Sequence, residues 1–595
     1  MRWQLFLWEG LPFFMNKEFD LKGLKEGSYF KKFHLNDFDS DDFLQSLITC
    51  SFPYRGSTRP FVEVLKSLGI DSLKQRLESP DFKSLKDILG HLNDSPEPSC
   101  KSVVFEDKYV DLDYQDEYAA FYSKAFKTYP SRTVRLHFFS CTLPEDYLQN
   151  ITRYSDDYMG FLVLRPTDLQ KVGRTILKPT LDSNTEFIHC CAKFDVHILG
   201  QKLVVKGMPF SQQDTQVGAC AQASLWMLGR YMSQHFGYRE FFPSDVNQFA
   251  KAKGAGRVFP GEFGLTSSQM VDALEGMGFY PRHYSREELK DCSDHIDGII
   301  PTPEEQLGSC PEGEAERKKY DQDVERIRPQ YSNDIEGLRT LKLADIAYRY
   351  IESGLPVIFC TNDHALVGIG HTYKYLADNI RVSIQRIPSF IVHNDTVGPY
   401  QKVPIHEDSS KDRNFSEVKQ IIVITPREAT LSGEEAELMS RSTIEELLAY
   451  PTGLKDPKFP TYKDVICKTG FDAYLSNRLE YRTFLIRSVD FQSQIRIDME
   501  NGFNPSIADT LINLDYPKFI WITEVSSDSL LRYKKPTKRQ CLGRVVIDST
   551  APSRTRGAIM VHFCDFFQIF DRQRREFKEQ YEHIPKSTPF IHHCF

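Results

Sequence analysis

The segment Gly207 to Phe236, GMPFSQQDTQVGACAQASLWMLGRYMSQHF, constrains the chain most, because a polar, glutamine-containing loop runs into an amphipathic helix and sets a cysteine in its first turn. Ala221, Leu225, Leu228 and Met232 recur at spacings of four, three and four, which puts one apolar face on a helix starting at Cys220. A helix start leaves backbone N–H groups without intrahelical partners and carries the positive end of the dipole, so an anion is favoured there. Those conditions favour a nucleophilic thiolate, and the same N–H groups can receive a developing oxyanion. Buried cysteines are more often inert packing, so a base and an orienting group must come from elsewhere in the chain.

Two downstream runs supply them. After a helix over Leu343 to Ser353 and the stop residue Gly354, Pro356 to Cys360 reads as a buried strand, and His364-Ala-Leu-Val-Gly-Ile-Gly-His371 as a second strand. His364 and His371 are an odd number of residues apart, so a regular strand points them to opposite faces, and only one can look at Cys220. Phe390-Ile-Val-His393 is a third strand, ending in Asn394-Asp395 before Val397-Gly-Pro-Tyr400. Antiparallel pairing of the second and third strands sets Asn394 or Asp395 beside His364 and leaves His371 at the far end. His364 is then the expected base, with one of the 394–395 pair fixing its tautomer.

QQDTQVGACAQASLWML, GLPVIF, NDHALVGIGHTY and FIVHNDTVGPY together resemble the papain-like cysteine peptidase superfamily in its bacteriocin-leader-peptidase-like branch, the double-glycine leader peptidases. The resemblance covers residues 207 to 400 and is close only in these segments; the flanks are similar to an uncharacterised bacterial protein group. It implies an α+β fold in which a helix bearing the cysteine packs on an antiparallel sheet bearing the histidine and the acid. On the matching positions, Cys220 resembles the nucleophile, His364 the general base and Asp395 the orienting acid, with Asn394 and His371 as alternatives. The branch's oxyanion glutamine lies six residues before the cysteine, where this chain has Asp214. Gln213, one residue further back, is the position taken for it, with Gln212 as the alternative. Ala221 and Gln222 depart from the branch's glycine and proline, and Thr396 follows Asp395 where proline is common.

The implied activity is that of a cysteine-nucleophile hydrolase cleaving peptide or isopeptide amides through a thioester. The same triad supports glutamine deamidation or acyl transfer, and a catalytically inactive scaffold of the same fold is the reading from a different class. A protein or peptide substrate is expected, with no cofactor and no metal, and the large flanking regions leave room for a regulatory partner protein.

With 595 residues, 41% hydrophobic and 26% charged, the chain can bury several cores. A net charge of -8 argues against nucleic acid as the main ligand. The 13 cysteines follow no paired spacing, so neither a disulfide framework nor a structural zinc site is indicated, and a cytoplasmic setting is expected. His189-Cys190-Cys191 and the tail His592-His593-Cys594 are weak metal signals. The apolar opening WQLFLWEGLPFFM is broken by Glu9, Gly10 and Pro12, too short to cross a bilayer, and lacks a small-residue cleavage site.

The expected organisation is a mainly helical region over 1–100, a strand-rich module over 101–206, the catalytic domain over 207–405, and a C-terminal α+β module over 406–595. A charged, proline-containing segment over 286–334 reads as an insertion that could lie over the site. Asp111, Asp113, Asp116 and Glu117 fit a solvated helix start, and Lys534, Lys535, Lys538 and Arg539 a solvated loop. A hairpin turning at Gly200-Gln201 and a charged helix over Asp565 to Glu582 complete the expectations.

Overall fold

The computed structural model describes residues 30–34, 51–54, 57–60, 100–167, 172–213, 220–251, 264–291, 314–376, 383–406, 408, 413–449, 479–500, 503, 505–552, 557–563, 566–571, 576–580 and 588–589. The architecture is α+β, built on three antiparallel sheets. In the first, five strands lie in the order β1 (Phe30–His34), β2 (Ser102–Tyr109), β3 (Thr133–Phe139), β4 (Tyr158–Leu164) and β5 (Val172–Leu177). The remainder of 1–99, where a mainly helical region is expected, lies outside the described residues apart from the hairpin Ser51–Tyr54 and Ser57–Pro60.

Helix α1 (Leu112–Ala120) follows β2, capped by the Asp111 side chain, which accepts from Tyr114 N–H. Its carboxylates correct the expectation of a solvated cluster, since Asp111, Asp113 and Glu117 are buried. Glu117 takes two hydrogen bonds from Arg165 at 2.9 and 3.0 Å, Asp113 accepts from Arg230 and Trp226, and Asp116 accepts from the Ser244 hydroxyl and N–H. Helical spacing at the surface and spacing toward three separate partners look alike in one dimension. A carboxylate is tolerated in the interior only because each is paired there.

β6 (Glu186–Ile188) leaves the expected strand-rich module and joins the central sheet, so that module is interrupted within 101–206. β7 (Ala192–Ile198) and β8 (Gln201–Gly207) form a hairpin whose two loop residues are Leu199 and Gly200, both at positive φ (49° and 78°), with Gln201 already paired to Ile198. Two positive φ values make this the type I′ turn that matches strand twist, one residue earlier than the Gly200-Gln201 turn the sequence suggested.

Helix α2 (Cys220–Phe236) is buried along most of its length, packed on the strand Ala365–Thr372 of the central sheet and on β7. Helices α3 (Pro243–Phe249) and α4 (Ser267–Met277) pack beside it. In α4 the Thr266/Gln269 capping box starts the helix and the left-handed Gly278 ends it, both readable from residue type and spacing.

The central sheet has seven strands. Six run in the order β9 (Phe279–Ser285), β14 (Gln420–Pro426), β10 (Val357–Cys360), β11 (Ala365–Thr372), β12 (Ser389–Asn394) and β13 (Gly398–Pro404), and β6 extends the β10 side of β11. Helix α5 (Glu314–Glu352) corrects two expectations together. Of the charged segment over 286–334, residues 314–334 are its first turns, 292–313 lie outside the described residues, and the helix expected from Leu343 begins 29 residues earlier and runs through Pro329.

The C-terminal module adds α6 (Gly433–Ala449) and a six-stranded sheet in the order β15 (Leu479–Arg487), β16 (Phe519–Ser527), β17 (Gly543–Asp548), β18 (Ala558–Phe563), β19 (Phe566–Asp571) and β20 (Glu576–Gln580). The helix expected over 565–582 is therefore two strands. Met560 pairs with Ile569 and Phe563 with Phe566, and the alternating burial of Phe567 and Ile569 outweighs the charge pattern. The Trp521 indole N–H donates to the Leu431 carbonyl at 3.0 Å and its ring meets Tyr350 edge-on, closing this sheet against α5 and α6.

β6 can lie on β11 only because residue 370 is glycine: a Cβ there would stand 2.1 Å from the Phe187 carbonyl oxygen. Gly370→Ala is expected to cost about 1–3 kcal/mol as an overpacked strand contact, read as a lower urea midpoint. An unchanged midpoint would mean that β6 is not seated there.

Candidate active site

The approach to Cys220 is laid down as a strand. Phe210 and Thr175 exchange backbone hydrogen bonds at 2.9 Å, and Gln212 N–H donates to the Val172 carbonyl at 2.9 Å, so residues 210–212 extend the edge of β5. Met208 N–H donates to the Tyr400 hydroxyl oxygen, whose own proton goes to the Leu177 carbonyl. His393 Nδ1–H donates to the Pro209 carbonyl at 3.2 Å, tying the strap to the strand that ends in Asn394. Residues 214–219 lie outside the described residues.

Cys220 opens α2 and is half-buried. One turn on, the Ser224 hydroxyl donates to the Ala365 carbonyl at 3.3 Å, joining the first turns of the helix to the residue after His364. The pairing of β11 and β12 is antiparallel, with Val367 opposite His393 and His371 opposite Phe390. Asn394 and Asp395 therefore fall beside His364. His364 Nε2 is 2.9 Å from Asn394 Oδ1 and 3.1 Å from Asp395 Oδ1.

The two orienting residues do different things. Asn394 Oδ1 also accepts from Thr396 N–H at 3.1 Å and from the Thr396 hydroxyl at 2.7 Å, which locks the amide with its oxygen toward the ring. Thr396, where the resembled branch commonly has proline, thus aims Asn394. Asp395 is fully buried, and among the described residues neither of its oxygens meets a donor in hydrogen-bond geometry. Its charge lies beside Nε2 without a well-formed bond, while Asn394 supplies the directed one.

Burial works against a charged His364, but its close contacts with Asp395, Cys220 and Asn394, together with the Asp395 charge, outweigh it and raise the imidazole from 6.5 to about 10. The Cys220 sulfur is one of the groups that raise the ring, which places it close to the imidazole. With Nε2 engaged by Asn394 and Asp395, Nδ1 is the nitrogen left for the sulfur. Burial pushes other thiols away from reactivity: Cys100 and Cys360 are raised to about 12 and Cys190 well above its ordinary value.

The two glutamines part company. Gln212 turns its amide oxygen onto Val172 N–H at 3.1 Å and serves the edge of β5. Gln213 is half-buried at the end of the strap. His371 lies away from Cys220, in a buried cluster with His189 and Glu352 whose three ligand-type atoms converge. His371 and His189 each stand out in the sequence, the latter with Cys190 and Cys191, but no spacing pattern joins them to Glu352, since the members stand 182 and 19 residues apart.

Since the folded-state value of His364 lies above its ordinary one, its contribution to stability is complete below about pH 6.5 and is lost as pH rises toward 10. The urea midpoint of the wild type is expected to fall more steeply between pH 7 and 10 than that of His364→Ala, and parallel curves would contradict the assignment. No protein-family model matches the chain, and no curated protein matches it at a significant level.

Proposed function

We propose that the chain is a cysteine-nucleophile hydrolase of papain-like design acting on peptide or isopeptide amides. The observation that carries this reading is the meeting of three elements distant in sequence: Cys220 at a helix start, the His364 ring close enough for the sulfur to raise the imidazole, and Asn394 with Asp395 on the ring's far nitrogen.

In the reaction, the His364 imidazolium, held by Asn394 and the Asp395 charge, stabilises Cys220 as the thiolate. The thiolate attacks the substrate carbonyl carbon. Its oxygen gathers negative charge and is met by the Cys220 backbone N–H, one of the unpaired donors of the helix start, with Gln213 as the second donor. The imidazolium gives its proton to the departing amine, leaving a thioester. Water, deprotonated by His364, then releases the acid and restores the thiol. Glutamine deamidation follows the same steps with ammonia as the leaving group, and acyl transfer replaces water with an amine.

Mass spectrometry of a proteome incubated with wild type and with Cys220→Ala tests the proposal and separates these outcomes, since cleavage, deamidation and transfer change mass differently. Cys220→Ala is expected to lower turnover by about 10³-fold or more, and Asn394→Ala by roughly 10²-fold through loss of ring orientation. A Cys220→Ala protein that retains full turnover would overturn the reading, and a wild type that leaves every protein unchanged would point to a binding scaffold.

A further inference from the structure

A cavity of about 70 Å³ lies between β11 and the C-terminal sheet, on the far side of the His strand from Cys220, and His189, Glu352 and His371 line it with Arg482, Arg539 and Tyr373. That volume holds more than a single water. We propose that His189 Nε2, His371 Nε2 and Glu352 Oε1 bind a divalent transition-metal ion such as zinc, with a fourth position open to the cavity.

The separations fit such an ion. The two Nε2 atoms are 3.3 Å apart and His189 Nε2 is 3.6 Å from Glu352 Oε1. Tetrahedral ligands at zinc distances are separated by about 3.3–3.4 Å. Two imidazoles bound through Nε2 at a tetrahedral angle set their ring centroids about 5.2 Å apart, and these rings are 5.1 Å apart. The third edge, His371 Nε2 to Glu352 Oε1, is 2.6 Å and would open by about 0.7 Å on binding.

The hydrogen bonding also calls for a cation. His371 Nδ1–H donates to the Thr372 carbonyl at 3.1 Å, which in a neutral ring turns the Nε2 lone pair toward the Glu352 oxygen. Two lone pairs at 2.6 Å repel unless something positive lies between them. A proton can bridge one pair of atoms, whereas here three atoms converge, and a metal ion serves all three. Glu352 is the last residue of the 39-residue α5, at the negative end of its dipole, where a carboxylate is misplaced without a positive partner. Arg482 supplies one on Oε2, at 2.6 and 2.9 Å, and leaves Oε1 to the histidines.

The cavity's charge points to what completes the coordination. Arg386 is paired with Glu480 and Asp528, and Arg482 with Glu352 and Glu524. Arg539, buried and stacked on Tyr373 at 3.9 Å, has no carboxylate partner among the described residues and donates to the Tyr533, Lys534 and Asn184 carbonyls. The basic run 534–539 is thus a solvated loop only in its lysines. The fourth position of the metal and this arginine share one cavity, a setting for a small anion or a metal-bound hydroxide.

The test is metal content of the full chain. Stripped with chelator, offered zinc and dialysed, the wild type is expected to retain one equivalent and to unfold at a higher temperature than the stripped protein. The cobalt(II)-loaded form is expected to show visible bands of low coordination number without the near-ultraviolet charge transfer of a cysteine ligand. His189→Ala and His371→Ala, each folded by circular dichroism, should lose the stoichiometric ion, whereas Cys220→Ala should keep it. A wild type retaining no ion, a thiolate band, or undiminished binding in either histidine variant would overturn the proposal. None of these readouts depends on turnover at Cys220.

Discussion

The seating of α2 across the start of β11 is the contact on which the rest depends. The Ser224 hydroxyl on the Ala365 carbonyl holds the helix start against the histidine strand, and apolar burial from Ala221 to Met232 fixes the helix in depth. Without that seat Cys220 and His364 are two residues 144 positions apart with nothing to join them. The first sheet contributes by taking residues 210–212 as an edge strand, and α1 by anchoring Arg230 through Asp113, so that both the approach loop and the helix are held.

A second theme is the burial of opposite charges where modules meet. Arg349 with Glu437, Arg386 with Glu480, and Arg482 with Glu352 join elements far apart in sequence, whereas Arg165–Glu117 and Arg482–Glu524 are buried within single modules. Such pairs contribute little net stability over well-packed apolar groups, but breaking one leaves an uncompensated buried charge. They act as keys that permit one docking of the modules. Arg482 is the most connected of them, holding the end of α5 and the floor of the C-terminal sheet at once. The cavity beside it and the Cys220 site therefore sit near opposite ends of one strand, β11, with different chemistry at each.

Local features were legible in the sequence because their causes are local. The cysteine helix, the Thr266/Gln269 capping box, the Gly278 stop and the strands at 357–360, 365–372 and 389–394 follow from spacing and cap chemistry, and the antiparallel register of two of those strands was enough to bring His364 to Asn394 and Asp395. What escaped the sequence depends on partners. A charged helix along 314–352 and a charged insertion have the same composition, and the carboxylates 111–117 look solvated until Arg165, Arg230 and Ser244 arrive from elsewhere. Residues 566–571 and 576–580 carry enough charge to suggest a helix, yet the pairing of β19 with β18 and of β20 with β19 makes them strands. The convergence of His189, Glu352 and His371 depends on the β6–β11 pairing together with where α5 ends, which no one-dimensional pattern carries.

The central claim is that the Cys220 sulfur and the His364 ring meet in a working pair, and alkylation tests it most directly. Full-length protein exposed to iodoacetamide near neutral pH, then digested and mapped, should be modified first and fastest at Cys220, with the rate at that residue falling about 10-fold or more in His364→Ala. Slow labelling spread over the accessible cysteines, or a Cys220 rate indifferent to the loss of the imidazole, would contradict the account.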